Sequence, residues 1–249
     1  MNPESPMPAL PPHQLSIVVP MYQEQDSVAP FVARVHECLG DYPHPWELLL
    51  VNDGSRDGTR AAIELAHQQL GAHIRLIELT RNYKQTAAMQ AGIDHARGDV
   101  IVTLDGDLQN DPIDIPRMVA RLLNEDLDLV AGWRQNRQDA LVMRKLPSRL
   151  ANALIARLTG IDIKDNGCSL KVFRASILRR IRLYGEMHRF IPAWLSTVTS
   201  PQRIAQEPVS HHARQFGESK YGISRTFRVV LDLFFVYFFM RYQIGRAHV

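Results

Sequence analysis

Cysteine is nearly absent: the 249 residues hold two, Cys38 and Cys168, far apart and outside any Cys-x-x-Cys or Cys/His spacing. That excludes a zinc ribbon or a disulfide framework as the organising device, and both thiols are expected to be reduced and packed. No apolar stretch reaches the roughly 20 residues a bilayer span requires. The longest, 229–240, is aromatic and apolar but carries Asp232. Residues 1–13 contain five prolines and no apolar run behind a basic start, so they read as a disordered lead-in, not a secretory leader, and the chain is expected to stay in the cytoplasm. Internal repeats are missing. Also missing is the Gly-x-Gly-x-x-Gly fingerprint of dinucleotide-binding folds, since Pro-Met-Tyr-Gln-Glu occupies 20–24, after the first apolar run.

What is present is the composition of an ordinary globular protein, 45% hydrophobic and 22% charged, long enough for one α/β domain built on one core. A formal charge of +3 tilts it toward anionic partners: phosphorylated substrates, a membrane surface or nucleic acid. Apolar runs at 16–20, 47–51, 74–79 and 100–104 read as buried strands. Between them, 27–39, 59–70 and 86–96 place apolar residues at helical spacing. This alternation predicts a mostly parallel, doubly wound sheet, with ligands beyond the carboxyl ends of its strands. A fifth strand is expected at 128–132, a basic amphipathic helix at 142–158, later strands at 170–173 and 204–209, and helical turns around Ile177 and Ile191.

The run 229–240 reads as an interfacial helix, as the approach to membrane spans, or as an amphipathic helix docked on the domain. Residues 244–249, Ile-Gly-Arg-Ala-His-Val, are the in-frame translation of a common sequencing-adapter string. The hypothesis is that 243–249 is adapter-derived and that the natural chain continues past Tyr242; encoding DNA lacking the string would contradict it. The expected organisation is a lead-in (1–13), a catalytic α/β domain (14–222) and a truncated membrane-proximal helical segment (223–242).

Chemistry gathers at the strand ends. Leu-Asp-Gly-Asp-Leu-Gln at 104–109 puts Asp105 and Asp107 where an apolar strand meets a loop, and two such carboxylates repel unless a divalent cation joins them. Gln109 offers a further oxygen, and hard oxygen ligands suit magnesium or manganese that also touches diphosphate. Asn-Asp-Gly-Ser-Arg-Asp-Gly-Thr at 52–59 places Asp53 to accept from a base or ribose and Asp57 to cap the next helix. At 20–24, Tyr22 can pack on a base and Glu24 can accept from a ribose. His211 and His212 are adjacent on an extended segment, face opposite sides and are not expected to share a metal. Trp133, Trp194 and the aromatics at 234–239 read as core or membrane contacts.

These three strand-end stretches, in this order, resemble the family 2 glycosyltransferases, whose motifs they match as Pro-x-Tyr-x-Glu, Asp-Gly-Ser-x-Asp-Gly-Thr and Asp-x-Asp. Five further segments, 81–85, 105–112, 132–134, 165–171 and 216–221, make the chain similar to the polyprenyl-phosphate glycosyltransferases over about residues 15–242. That branch includes dolichyl-phosphate mannosyltransferases, bactoprenyl glucosyltransferases and the aminoarabinose transferase of lipid A modification. The resemblance implies a GT-A fold and inverting transfer of a sugar from a GDP- or UDP-linked donor to a polyprenyl phosphate at the cytoplasmic face of the inner membrane, with Mg2+ or Mn2+.

By the same resemblance Asp105, Asp107 and Gln109 hold the metal, and Pro20, Tyr22, Glu24, Asp53, Gly54 and Asp105 surround the donor. Arg134 meets phosphate near the reaction centre, while Arg144, Ser148 and Lys220 contact the acceptor phosphate. A phosphate monoester is largely dianionic at neutral pH, so the acceptor needs charge compensation more than a general base. Phosphate recognition also accounts for the basic and aromatic residues near the end without nucleic acid. The alternatives are a family 2 enzyme acting on a saccharide hydroxyl, which needs a carboxylate base, and a catalytically silent nucleotide-sugar-binding module. Two departures from the family pattern stand out: Asn52 where many relatives have aspartate, and Gly106 where many have alanine.

Overall fold

Short runs of Val, Ile and Leu closed by glycine or acidic residues extend into strands, because branched side chains pack well on a pleated surface. The computed structural model describes residues 10–135, 161, 163–213 and 238. Seven strands form one sheet: β1 (Leu15–Met21), β2 (Trp46–Asn52), β3 (Ile74–Glu78), β4 (Val100–Thr103), β5 (Leu129–Trp133), β6 (Lys171–Arg174) and β7 (Ile204–Pro208). Their order is β3-β2-β1-β4-β6-β5-β7, and every pairing is parallel except those β6 makes with β4 and β5. The expected mostly parallel sheet is therefore present, with one reversed strand inside it.

Helices α1 (Gln25–Leu39), α2 (Thr59–Leu70) and α3 (Gln85–His95) follow the first three strands. Alternation along β1 divides the interior. Leu15, Ile17, Val19 and Met21 pack with Val28, Phe31 and Val35 of α1 and Ile63 of α2. Val18 faces the other side with Ala88, Met89 and Ile93 of α3 and with residues of the short helices Ala175–Leu178 and Ile191–Leu195. The single core expected from the sequence is thus two apolar layers, since a sheet covered on both faces separates them.

One helix is not anticipated by the sequence reading. It is α4 (Ile115–Asn124), entered through a 3-10 turn at Pro112–Asp114. Ile115, Met118, Val119 and Leu122 are buried at three- and four-residue spacing, and Pro116 sits in the first turn, where a missing N–H costs nothing. His13 is buried, its Nδ1 2.8 Å from the Pro11 carbonyl and its Nε2 2.5 Å from the Tyr42 hydroxyl. The helices expected at 142–158 and 223–242 lie outside the described residues, apart from Phe238, which is helical and exposed. Among the described residues no helix is long and apolar enough to cross a membrane.

Four histidines collect at the amino end of β1 to β3. The rings of His13 and His44 lie 4.2 Å apart, those of His36 and His73 5.5 Å, and Trp46 meets His73 edge-on at 4.6 Å. Burial lowers the pKa of His13 and of His73, and the neighbouring imidazoles His44 and His36 push in the same direction. The unfolded chain takes up these protons near pH 6.5, before the folded one does. Stability from these groups is therefore complete above about pH 6.5 and falls as the pH drops below it. Thermal melts should be flat from pH 8 to 7 and decline toward pH 5, and His73→Phe should reduce that decline. An unchanged slope in the variant would remove His73 from the account.

Candidate active site

The first two loops at the carboxyl edge of the sheet are sewn together by main-chain donors. Asp53 N–H bonds the Met21 carbonyl at 2.9 Å, Gln23 N–H bonds the Ser55 hydroxyl at 2.9 Å, and Glu24 N–H bonds Thr59 Oγ1 at 2.9 Å. Tyr22 is left 40% exposed at the rim, beyond half-buried Pro20. Glu24 caps α1 and its Oε2 accepts from the Ser27 hydroxyl at 3.1 Å. Asp57 accepts from the N–H of Thr59 at 3.1 Å and its hydroxyl at 2.6 Å, the capping role read from the sequence. Burial opposes its ionisation, yet these bonds and one from Gln25 hold it below the usual carboxylate range.

Asp53 faces inward. It is 2% exposed, and its Oδ1 accepts the Tyr83 N–H at 2.7 Å. Burial pushes its pKa up, against the bonds from Tyr83 and Lys84. The loop so held, Arg81 to Lys84, is exposed, with the Arg81 guanidinium 4.8 Å from the Tyr83 ring centre. Gly54 makes the close approach possible. It has φ +65, and a Cβ there would stand 2.3 Å from the Arg81 carbonyl carbon.

Asn52 has a physical reason to differ from aspartate. Its Nδ2 donates to both Glu78 oxygens at 3.1 and 3.0 Å, while its Oδ1 accepts from Ser55 N–H at 3.2 Å. A carboxylate at 52 would face Glu78 as a like charge, whereas the amide satisfies donor and acceptor together.

Beyond β4 the acidic pair enters the same crevice. Asp105 is half-buried, and its Oδ1 accepts from Gln85 Nε2 at 2.7 Å. Its own N–H bonds the Ser169 hydroxyl at 3.2 Å. Asp107 is buried, and its Oδ1 accepts the Gln109 N–H at 3.1 Å across Leu108, whose φ is +58. Burial first, then the charge of Asp107, pushes the Asp105 pKa up to about 6 against Ser169, Lys171 and Arg134. Two carboxylates that resist joint ionisation are the donor set a divalent cation relieves. Among the described residues no group of three or more His, Cys, Asp or Glu is arranged to hold a metal ion. The pair thus fits a cation shared with ligand oxygens rather than a closed protein cage.

The second wall comes from β5 and β6. Arg134 forks onto Asp165, Nε to Oδ2 at 2.7 Å and Nη2 to Oδ1 at 2.9 Å, with both side chains nearly buried. Lys171 is 2% exposed and donates to the carbonyls of Cys168 and Asn166. Burial lowers its pKa, while Cys168, Asp165 and Asp105 favour its charge. Gln85, Ser169 and Lys171 have no individual roles legible in the sequence, because Gln85 reaches Asp105 from the start of α3 and the other two through the pairing of β6 with β4, neither of which is a local pattern. Trp133, read as core or membrane contact, carries the Lys164 ammonium 4.0 Å from its ring centre, whereas Trp194 is buried in the core as expected.

After β7 the chain straps the acidic loop. Val209 N–H bonds the Trp133 carbonyl at 3.1 Å, His211 pairs with Asn110, and His212 N–H bonds the Gln109 carbonyl at 2.8 Å. The His212 ring reaches Asp111 at 3.2 Å, and Arg34 of α1 forks onto the same carboxylate at 3.0 Å on each arm. Asp105, Asp107, Gln109, Asp53, Gly54 and Arg134 thus belong to the loops at the carboxyl edge. Arg144, Ser148 and Lys220 lie outside the described residues.

Known proteins resemble this chain in sequence and in fold. Residues 16–182 match the family described as Glycosyl transferase family 2. The dodecaprenyl-phosphate galacturonate synthase of Rhizobium johnstonii is 56% identical over 235 residues, covering 94% of this chain and 70% of that protein. The undecaprenyl-phosphate 4-deoxy-4-formamido-L-arabinose transferase of Salmonella choleraesuis is 41% identical over 225 residues, covering 90% of this chain and 68% of that protein. Among solved structures, mannosyl-3-phosphoglycerate synthase from Rubrobacter xylanophilus superposes with a TM-score of 0.71 at 16% identity, over 88% of this chain and 72% of that one. Glucosyl-3-phosphoglycerate synthase from Mycobacterium tuberculosis, in complex with Mn2+ and UDP-glucose, gives 0.69 at 17% identity, over 90% and 79%. The last two share the GT-A fold; the first two share sequence along nearly the whole chain. The chain belongs to glycosyl transferase family 2, in the branch of the polyprenyl-phosphate glycosyltransferases.

Proposed function

We propose that this chain transfers a hexose or modified pentose from a nucleoside-diphosphate sugar to a polyprenyl phosphate at the cytoplasmic face of the membrane. The observation that carries the reading is the Asp105–Asp107 pair, whose joint ionisation is opposed at the same carboxyl edge of the sheet as Tyr22, Asp53 and the 81–84 loop. Asp105 and Asp107, with Gln109, would hold a magnesium or manganese ion, which would neutralise charge on the donor diphosphate. Tyr22 and the 20–24 and 52–54 backbones receive the nucleoside, with Asp53 fixing the loop that closes over it.

Chemically, an acceptor phosphate oxygen forms a bond to the anomeric carbon while the bond to the nucleoside diphosphate breaks, and the configuration inverts. The acceptor oxygen is already ionised at neutral pH, so no proton need be removed. The crevice carboxylates agree with that. Asp53 is engaged by Tyr83, Asp165 by Arg134, Glu24 by Ser27 and Glu78 by Asn52, and Asp105 and Asp107 are assigned to the metal, so the reading gives none of the six the role of a base. Arg134 and buried Lys171 supply positive potential near the reacting phosphates, and Arg144, Ser148 and Lys220 bind the acceptor phosphate.

The two relatives are named for a galacturonate and for a formamido-arabinose, which supports a hexose or modified pentose as the donor sugar. A panel of radiolabelled UDP- and GDP-sugars, incubated with the protein, undecaprenyl phosphate, Mn2+ and detergent, should move label into the lipid phase. Donor binding or hydrolysis with no labelled lipid would leave the catalytic fold and overturn the acceptor.

A further inference from the structure

Among the described residues four non-glycine residues have positive φ, and three of them, Gln23, Lys84 and Leu108, lie in the loops at the carboxyl edge of the sheet. Lys84 is the extreme case. Its φ of +74 comes with ψ of 165, a region that is essentially glycine's alone, whereas Gln23 and Leu108 have the φ of an ordinary left-handed turn. A lysine kept at such a position has a side chain with something to do, because glycine would relax the backbone there.

The surroundings hold the strained residue in place. Buried Asp53 accepts the N–H groups of Tyr83 and Lys84, and the Lys84 carbonyl accepts from Ala87 at 3.1 Å and Ala88 at 3.2 Å as α3 begins. The next residue, Gln85, reaches back to Asp105. Lys84 is exposed, and no carboxylate among the described residues pairs with it. An uncommitted ammonium therefore stands one residue from the group that contacts the acidic pair.

A neutral sugar needs no such charge. A sugar with its own carboxylate does, since it must sit beside the donor diphosphate and two aspartates. We infer that Lys84 is a specificity-determining residue that pairs with a carboxylate on the donor sugar, making the preferred donor a nucleotide-linked uronic acid. This rests on the nucleotide-sugar reading above and narrows it to acidic sugars.

Donor affinity tests it without the acceptor. Galacturonate and galactose, each linked to UDP and to GDP, are titrated calorimetrically with Mn2+ into the full chain and into Lys84→Gly and Lys84→Gln. The parent protein should bind the galacturonate form about tenfold or more tightly than the galactose form, the scale of one charge-assisted contact. Both variants should lose that preference, with the galacturonate form weakened at least about fivefold more than the galactose form. Lys84→Gly should also melt higher than the parent, because the strain is relieved, and Lys84→Gln should not. Equal weakening of both sugars would assign Lys84 to the diphosphate and overturn the inference, as would retention of the preference in Lys84→Gln. Failure to bind any nucleotide-sugar would instead overturn the nucleotide-sugar reading, and this inference with it.

Discussion

Asp107→Ala is expected to lower sugar transfer by roughly a thousandfold or more, about 4 kcal/mol of transition-state stabilisation. Asp107 is buried where β4 has just ended, and its Oδ1 shapes the turn to Gln109 through the 3.1 Å bond to that residue's N–H. Its removal takes away half the carboxylate pair and loosens the third proposed oxygen donor at once. Saturating Mg2+ or Mn2+ should recover only a small part of the loss, because the missing ligand also set the loop geometry.

Removing the Asp107 charge alone carries an opposite sign for stability. Burial and the Asp107 charge together raise the Asp105 pKa to about 6, well above its unfolded value. A carboxyl with a raised folded pKa favours folding below its unfolded pKa and loses that contribution as the pH climbs through the folded one. At pH 7 in chelator the pair is a liability. Asp107→Asn, which removes the charge but keeps an oxygen for the Gln109 N–H, should therefore stabilise the metal-free protein by up to about 1 kcal/mol, a figure discounted for the partial exposure of Asp105 and for the part of the shift that burial causes. An inactive variant with a higher melting temperature in chelator is the joint signature; full activity at saturating magnesium would refute the metal role.

Gly54→Ala should produce the largest loss of stability. With φ at +65 and the Arg81 carbonyl carbon 2.3 Å from the added Cβ, alanine is strained by its backbone and excluded by its neighbour. The neighbour is main chain, so no side-chain rotation relieves the contact. Left-handed strain and overpacking together suggest about 3 kcal/mol, or roughly 6 to 12 °C in melting temperature for a chain of this size. Because the loop that must move is held by Asp53 through Tyr83, donor affinity should fall with stability. A shift within 1 °C would mean that the two loops are not in contact as described.

The strand ends were legible because each apolar run stops at a polar motif, and a parallel sheet sends those ends to one edge. Asp57 as a cap followed from its spacing to Thr59 alone; of the two cysteines expected to be packed, Cys168 is buried and Cys38 only half-buried. Helix α4 was hidden by its entrance, where Asp111, Pro112 and Pro116 read as loop although the apolar spacing behind them is helical. The reversed direction of β6 could not be read locally. Strand polarity depends on what the intervening chain does, and the β6 run looks the same in either direction. The second wall was lost with it, since Lys171 comes beside Thr103 and Ala131 only through those antiparallel pairings. Arg134 was legible as a basic residue after a strand, but not its fork with Asp165, which comes from 31 positions further along the chain.

The central claim is that the acceptor is a phosphate and that the crevice works without a general base. The most direct test offers undecaprenyl phosphate and undecaprenol side by side to the protein with labelled donor and Mn2+. The account predicts label in the phosphate-linked product alone, at a rate that does not fall until the pH drops below about 6, where the phosphate monoester gains a proton. Label in undecaprenol at a comparable rate would contradict it, because a hydroxyl acceptor requires a base that these engaged carboxylates do not provide.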